Sequence, residues 1–306
     1  MSILLLALMT GFAFSQTATS STAVFEESVP PGNNYDKAEF RLWYPPTVDA
    51  VRAVVVLVPG SNGDGRAQAE DAGWQAFATK NKLALVGVRI TDKPHEQSFI
   101  EHYVDVSHGS GQALLIAMAA FAEKSKHSEL ARAPFLLWGM SAGGEFNYEF
   151  VNWKPERVVA FVVNKGGIYY SALASREARN VPGILFIGGK DLDSRVQMIS
   201  GLFQLNRRGA ALWALAEEPA VGHVVGRSID IAKILFEDAL AARIGDPYSL
   251  KPVNEKDGFI GDLKAKTYQP AATAGNQTLS NPWFLTERIA KAWKAMVTET
   301  PFDPQQ

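Results

Sequence analysis

Residues 136–146 read LLWGMSAGGEF and place Ser141 between two glycines, directly after an apolar run and directly before a segment with helical spacing. A serine can be held on a sharp strand-to-helix turn only if the residues two positions before and after it lack a clashing Cβ. Gly139 and Gly143 meet that requirement. The segment therefore predicts either a nucleophile raised at the end of a strand or a small residue in an ordinary turn.

The flanking residues favour the nucleophile. Upstream, PFLLW at 134–138 is a short apolar run bounded by proline and glycine, which is typical of a strand buried on both faces. Downstream, Phe146, Phe150 and Trp153 recur at the spacing of one helical face before Pro155. Strand, turn and helix thus follow in the order that a serine nucleophile requires.

Composition limits the other possibilities. The chain has 306 residues, 47% hydrophobic and 20% charged, which predicts a globular protein of one or at most two domains. A formal net charge of -2 argues against a nucleic-acid partner, which would need a strongly basic surface. There is no cysteine for disulfides or thiolate metal sites, and the five histidines form no metal-binding motif. We therefore expect neither nucleic acid nor metal.

The N-terminal residues MSILLLALMTGFAFSQ indicate export. Their apolar core is too short to span a bilayer, and Ala13 and Ser15 are small residues at the two positions that a signal peptidase reads. We predict a signal peptide at 1–15, cleavage near Gln16, a secreted or periplasmic protein and no stable membrane insertion. The alternative is a buried N-terminal helix. Residues 16–36 are polar and predict a loose lead-in.

Beyond this lead-in, strand-like and helix-like segments alternate. Strands are predicted at 38–46, 52–60, 82–90, 134–138, 157–167, 181–189 and 210–218. Helices are predicted at about 111–124, after Ser141, and at about 194–206 and 227–242. Such alternation is typical of an α/β fold with a mostly parallel sheet and helices on both faces, in which chemistry collects at the carboxyl ends of the strands.

Those strand ends supply partners for Ser141. A serine nucleophile needs an imidazole base, which in turn needs a carboxylate to orient it, and in such hydrolases the chain order is Ser, then Asp or Glu, then His. Asp191 and Asp193 follow the strand ILFI, and His223 follows the strand ALWALAEE. We predict a triad of Ser141, Asp191 and His223. Asp193 is the second choice because it is better placed to cap the next helix.

Two other features of the site can be predicted. The competing bases, His102 and His108, precede the serine and belong to an earlier loop.

An acyl-transfer site also needs N–H donors for the developing oxyanion. One should be the amide of Ala142, and the other should come from the glycine-rich loop VPGSNGDGR, with Ser61 preferred and Asn62 second.

With these motifs, the chain resembles the α/β-hydrolase superfamily over roughly residues 50–240. VVVLVPGSNGDG, LLWGMSAGGEF, GILFIGGKDLD and AVGHVVG look like its oxyanion loop, nucleophile turn, acid loop and histidine loop. Within it, the chain is most similar to exported esterases of the poly(3-hydroxybutyrate) depolymerase and feruloyl esterase type. The oxyanion loop of those esterases commonly reads His-Gly, whereas here Pro59 takes the place of the histidine. Those esterases also usually carry disulfides, which this chain without cysteine cannot form. The resemblance implies a serine esterase that needs no cofactor.

The remaining segments add less. No long insertion separates the strands near 157–163 and 184–187, so we expect an open cleft without a large lid. The candidate residues for lining this cleft are Asn62, Trp74, Tyr169 and Tyr170. For each aromatic residue the alternative is a place in the core. Residues 245–280 predict a linker, and 281–296 predict a helix capped by Thr286 that packs on the core. Residues 37–306 are expected to form a single domain with a C-terminal extension from about 245.

The function predicted is that of a secreted serine carboxylic-ester hydrolase working through an acyl-enzyme. Its open cleft suits small-molecule or polymer-borne esters, such as aryl, sugar-linked or polyester esters. Two alternatives remain: a serine peptidase or amidase on the same fold, and an inactive binding protein of hydrolase fold.

Overall fold

The computed structural model describes residues 24–97, 99–245 and 248–302. An eight-stranded sheet lies at the centre of this part of the chain. Its strands are β1 (Val24–Val29), β2 (Lys37–Trp43), β3 (Val54–Val58), β4 (Ala84–Thr91), β5 (Phe135–Met140), β6 (Val158–Asn164), β7 (Gly183–Gly188) and β8 (Trp213–Glu218). The spatial order is β1-β2-β4-β3-β5-β6-β7-β8, in which β2 is antiparallel to both neighbours and all other pairs are parallel. The predicted α/β fold with a mostly parallel central sheet is confirmed.

Continuous apolar sequence explains the central strands. Every residue of β3, which reads VVVLV, and every residue of β6, which reads VVAFVVN, is buried. A parallel sheet covered on both faces leaves no solvent-facing side, so its strands are apolar throughout rather than alternating. The carboxyl ends of these strands lie at one edge of the sheet, where their loops meet.

Helices cover both faces of the sheet. They are α1 (Ala72–Asn81), α2 (Ser110–Ser125), α3 (Ala142–Trp153), α4 (Arg176–Arg179), α5 (Asp193–Arg208), α6 (Ser228–Arg243) and α7 (Glu287–Val297). The core on one face contains side chains of α2, α3 and α5, and the core on the other contains side chains of α1, α6 and α7. None of the helices in the described ranges is long and apolar enough to cross a bilayer.

The N-terminal segment departs from its predicted role. Residues 24–29 are not a loose lead-in, because they form the edge strand β1 and pair with β2 from Val24–Trp43 to Val29–Ala38. The polar composition that suggested a loop reflects an edge position, where Glu26 and Ser28 face solvent. The signal peptide predicted at 1–15 lies outside the described residues.

The C-terminal segment is also more ordered than a linker. A small antiparallel sheet of order β10-β9-β11 is built from β9 (Phe259–Asp262), β10 (Thr267–Pro270) and β11 (Trp283–Phe284). Next to it, α7 begins after Thr286, whose side chain accepts the Ile289 N–H as the sequence predicts. Trp293 of α7 is buried and donates its indole N–H to the Leu215 carbonyl of β8 at 2.9 Å. The extension therefore packs on the main sheet.

No lid covers the carboxyl edge of the sheet between β6 and β7. Residues 165–182 connect these strands with loop structure and the single turn of α4. The predicted absence of a large lid is confirmed in this region, so the loops that follow β5, β7 and β8 face an open cleft.

We predict that Trp293→Ala lowers the free energy of unfolding by about 3–5 kcal/mol, because it removes a fully buried aromatic side chain and leaves a cavity against β8. Chemical denaturation measures the loss. Lys294→Ala, at an exposed position of the same helix, is the control and should change it by less than about 0.5 kcal/mol. Equal effects of the two variants would contradict the packing of α7 described above.

Candidate active site

Ser141 lies on a strained turn between β5 and α3. Its φ of 54° and ψ of −126° are unusual for a residue with a side chain. A Cβ on Gly139 would lie 2.1 Å from the Gly143 carbonyl oxygen, and a Cβ on Gly143 would lie 2.2 Å from the Val58 carbonyl oxygen. Both glycines are therefore required by close backbone approach.

Asp191 and His223 are joined by a hydrogen bond across two loops. Asp191 follows β7 and His223 follows β8, and His223 Nδ1 lies 3.0 Å from Asp191 Oδ2. The Asp191 carboxylate is 2% exposed, whereas the imidazole is 34% exposed. With Nδ1–H donating to the carboxylate, Nε2 is left as a proton acceptor on a residue that lines the cleft.

Several donors surround the Asp191 carboxylate. Oδ1 accepts the Leu192 N–H at 2.8 Å and an Arg195 Nη1–H at 2.6 Å. Burial raises the pKa of Asp191, but the hydrogen bonds from His223, Leu192 and Arg195 outweigh it and bring the pKa below its ordinary value. Asp191 is therefore ionised at neutral pH and can stabilise a protonated imidazole.

Ser141 and His223 line the same cleft, which has a volume of about 620 Å³. That size is in the range of small-molecule sites. No hydrogen bond joins the Ser141 hydroxyl to His223 within the described residues, and such contacts often tighten only when substrate binds. The cleft also contains Ser61, three charged residues and an apolar group: Glu101, Glu145, Arg195, Phe99, Ile168, Leu192 and Met198.

Two backbone amides are available beside Ser141. Ala142 is the first residue of α3, where N–H groups have no intrahelical acceptor and the helix dipole is positive. Ser61 lies on the loop after β3, and a Cβ on the preceding Gly60 would be 3.6 Å from the Ser141 Cβ. Within the described chain, neither the Ala142 nor the Ser61 N–H donates to a protein acceptor. Ala142 thus follows the serine directly, and Ser61 follows a glycine that lies beside it.

Asn62 does not line the cleft, contrary to its prediction as a substrate-binding residue. Its side-chain Oδ1 accepts the Asp92 N–H at 2.7 Å, and its own N–H donates to the Tyr103 hydroxyl at 3.4 Å. These bonds hold it in the left-handed region, with φ of 53°. Asn62 therefore stabilises the loop that carries Ser61. A sequence pattern does not distinguish this structural role of an asparagine from a substrate-binding role.

The two aromatic lining residues were also predicted wrongly. Trp74 is 2% exposed and packs 6.3 Å from Trp138, in the core on the opposite face of the sheet. Tyr169 packs edge-on against Tyr148 at 5.0 Å, and it borders a separate shallow depression with Met198. Their apolar surface is satisfied by core contacts, so it is not available to a ligand in the cleft.

Other candidates lie outside the cleft. Tyr170, His102 and His108 border a different depression, in which His102 Nε2 lies 2.7 Å from Gln97 Oε1. Asp193 is the first residue of α5 and does not cap it, because Leu192 occupies the N-cap position. No group of three or more His, Asp or Glu side chains in the described ranges is arranged to hold a metal ion.

A buried ion pair beneath the cleft was not predicted. Lys165 Nζ lies 2.7 Å from Glu218 Oε1, and both side chains are almost fully buried. Glu218 Oε2 accepts the Arg227 N–H at 2.8 Å, and Asn164 donates to the Val225 carbonyl at 3.0 Å. These contacts anchor the loop that carries His223. In the sequence, the one feature that could have indicated this ion pair was the presence of a lysine and a glutamate at predicted strand ends.

The acidic side chains of the cleft were missed as well. Glu145 lies in the first turn of α3, four residues after Ser141, and Glu101 lies on the segment after β4; both line the cleft. A charged residue inside the largely apolar sequence AGGEFNYEF was a signal that could have indicated Glu145.

Comparison with known proteins adds little. No protein-family model matches the chain, and no curated protein matches it in sequence. Among solved structures, poly(aspartic acid) hydrolase-1 from Sphingomonas sp. KT-1 matches with a TM-score of 0.46 and 14% identity, over 67% of this chain and 98% of that chain. A likeness this distant carries no argument about function, so the site must be judged from its own geometry.

We predict that Gly143→Ala destabilises the fold by about 3 kcal/mol or more, because the new methyl group would overlap the Val58 and Pro59 carbonyl oxygens. Gly201→Ala on α5 is the matched control, since a Cβ there meets nothing within 4 Å. It should stabilise the protein by about 0.5–1 kcal/mol. Thermal and chemical unfolding compare the two, and a Gly143→Ala variant as stable as wild type would contradict the close packing at the turn.

Proposed function

We propose that the protein is an exported serine hydrolase that cleaves carboxylic esters through an acyl-enzyme. The observation that supports this most is the hydrogen bond of 3.0 Å between His223 Nδ1 and Asp191 Oδ2, with His223 and Ser141 on the wall of one cleft. Three residues far apart in sequence converge there, in the chain order typical of this type of hydrolase.

Acylation would begin with attack of the Ser141 hydroxyl oxygen on the ester carbonyl carbon while His223 Nε2 takes the hydroxyl proton. The ionised Asp191 stabilises the imidazolium that forms. The amides of Ser61 and Ala142 donate to the oxyanion of the tetrahedral intermediate. Collapse of this intermediate breaks the bond to the leaving alcohol, and the imidazolium returns the proton to the alcohol oxygen.

Deacylation would repeat these steps with water. His223 Nε2 removes a proton from water, whose oxygen attacks the acyl carbon, and the same two amides stabilise the second oxyanion. The bond to Ser141 then breaks, the serine regains its proton from His223, and the carboxylic acid leaves. Every proton transfer uses groups of this chain, so the proposed reaction requires only water as co-reactant.

The form of the cleft supports esters with a bulky or polymer-borne part. No lid lies between β6 and β7, and apolar side chains at the mouth are strongly exposed, including Phe99 at 87% and Leu192 at 63%. Exposed apolar groups around an open site can contact aryl, sugar-linked or polyester substrates. Export, suggested by residues 1–15, would suit a substrate outside the cytoplasm.

A substrate screen tests the proposal. Purified protein should hydrolyse short- and long-chain acyl esters, feruloyl and acetylated sugar esters, or aliphatic and aromatic polyesters, and a fluorophosphonate probe should label Ser141. Peptide amides assayed in parallel distinguish an esterase from a peptidase. An absence of both labelling and turnover would instead favour the inactive binding protein.

We predict that Ser141→Ala reduces turnover roughly 10⁴-fold or more and abolishes probe labelling, because it removes the attacking oxygen. Folding should be nearly unchanged, since only one hydroxyl is lost. Ester hydrolysis by the purified variant, with a thermal melt as control, measures both. Near wild-type turnover would exclude Ser141 as the nucleophile.

The choice of carboxylate gives a separate prediction. Asp191→Asn should cost on the order of 10⁴ in turnover, because asparagine presents His223 in the wrong tautomer. Asp193→Asn should have little effect, because Asp193 is exposed at the first position of α5 and contacts neither Ser141 nor His223. Hydrolysis of one activated ester by both variants decides between them. A large loss in Asp193→Asn alone would reverse the assignment.

A further inference from the structure

Two carboxyl groups on the cleft wall have no basic partner. Glu145 and Glu101 are 4% and 9% exposed, and no ion pair reaches either side chain within the described residues. Glu145 Oε1 accepts the Gly167 N–H at 2.6 Å. Glu145 Oε2 is buried and has no hydrogen-bond partner in the part of the chain that the structure describes. A buried carboxyl oxygen without a donor is costly, so its place in a ligand site needs an explanation.

Arg195, a cation that lines the cleft, compensates the charge of Glu145 only in part. Arg195 pairs with Asp191 at 2.6 Å and forms no ion pair with Glu145. The charges of Asp191 and Arg195 offset each other, so Glu101 and, above its pKa of about 7, Glu145 leave the cleft with an excess of negative charge. A substrate that carries a positive charge would meet this excess in a site where little water reaches the carboxylates.

We propose that the cleft recognises esters bearing a primary ammonium group, which binds between Glu101 and Glu145. The inference rests on the proposed function, because it names a substrate class for the same site. The Glu145 N–H donates to the Ser141 carbonyl at 3.1 Å, so the two residues are neighbours across the first turn of α3. A substrate amine a few bonds from the scissile carbonyl can therefore reach both carboxylates.

The proton on Glu145 provides a distinctive readout. Burial raises the pKa of Glu145 to about 7, with a further rise from Glu101 and opposing effects from the Gly167 and Ile168 amides and Arg195. A bound ammonium favours the carboxylate, so binding near pH 7 should release a proton and should strengthen as pH rises. The titratable and charged groups that interact with Glu145 are Glu101, Tyr103, Tyr169, Tyr170 and Arg195.

Two esters that differ only at the chain end test the inference. The p-nitrophenyl esters of 6-aminohexanoate and heptanoate present an ammonium and a methyl group at equal length. At about pH 8, above the pKa of Glu145, wild-type kcat/KM should favour the aminohexanoate about tenfold. Glu145→Gln and Glu101→Gln should each lower this ratio several-fold, and using the ratio removes any general effect on catalysis.

Glu149→Gln is the matched control. Glu149 lies on the same helix and is buried, but it is fully hydrogen-bonded to the Tyr170 N–H, the Ser171 N–H and the Ser171 hydroxyl at 2.7–2.8 Å and does not line the cleft. Its substitution removes the same charge and should leave the ratio as in wild type. If Glu145→Gln does not fold, Glu101→Gln gives the same test. A wild-type ratio near one, or a ratio unchanged in the cleft variants, would overturn the inference.

Calorimetry with hexylammonium tests the site without turnover. Wild-type protein should bind hexylammonium with proton release near pH 7, measured in two buffers of different ionisation enthalpy, and should bind hexanol more weakly. Equal binding of the two compounds would overturn the inference. Hexylammonium binding without ester turnover or probe labelling would overturn only the proposed function, whereas turnover of both esters without preference would overturn only the ammonium site.

Discussion

The candidate active site depends on the close approach of the start of α3 to the ends of β3 and β5. At Gly143 the helix comes so near that a single methyl group would overlap the Val58 carbonyl oxygen. This approach lets Ser141 adopt positive φ at the top of the turn and directs the Ala142 N–H towards the space in front of it. The strain at one residue is thus supported by backbone contacts that only glycine allows.

The loops that complete the site are held from beneath. Lys165 and Glu218, at the ends of β6 and β8, form a buried ion pair, and Glu218 also accepts the Arg227 N–H. A buried ion pair contributes little net stability, since desolvation offsets much of the attraction, but removal of one partner leaves an uncompensated charge. Its value here is geometric, because it fixes the loop of His223 relative to the sheet.

The pKa values of two buried carboxyl groups, that of Asp191 bonded to His223 and that of Glu145 on the cleft wall, are shifted in opposite directions by their surroundings. Asp191 is buried, but three donors outweigh that burial and keep the pKa of its carboxyl low. Glu145 is buried with fewer donors and faces Glu101, so its pKa rises to about 7. Such a separation is common where carboxylates have different tasks. Here it is consistent with one that orients an imidazole and one that is available to a ligand.

The sequence by itself determined the sheet and the convergence of the site. Short continuous apolar runs such as VVVLV, bounded by turn residues, predict strands buried on both faces. The carboxyl ends of parallel strands meet at one edge, so Ser141, Asp191 and His223 could be predicted to lie together. Only the tertiary structure decided which side chains line the cleft. Trp74 packs in the core, and Asn62 forms hydrogen bonds that hold a loop in place. The hydrophobicity of a tryptophan and the polarity of an asparagine do not specify which residues they will contact. The edge strand β1 and the role of Glu145 likewise depend on long-range contacts, which local patterns do not encode.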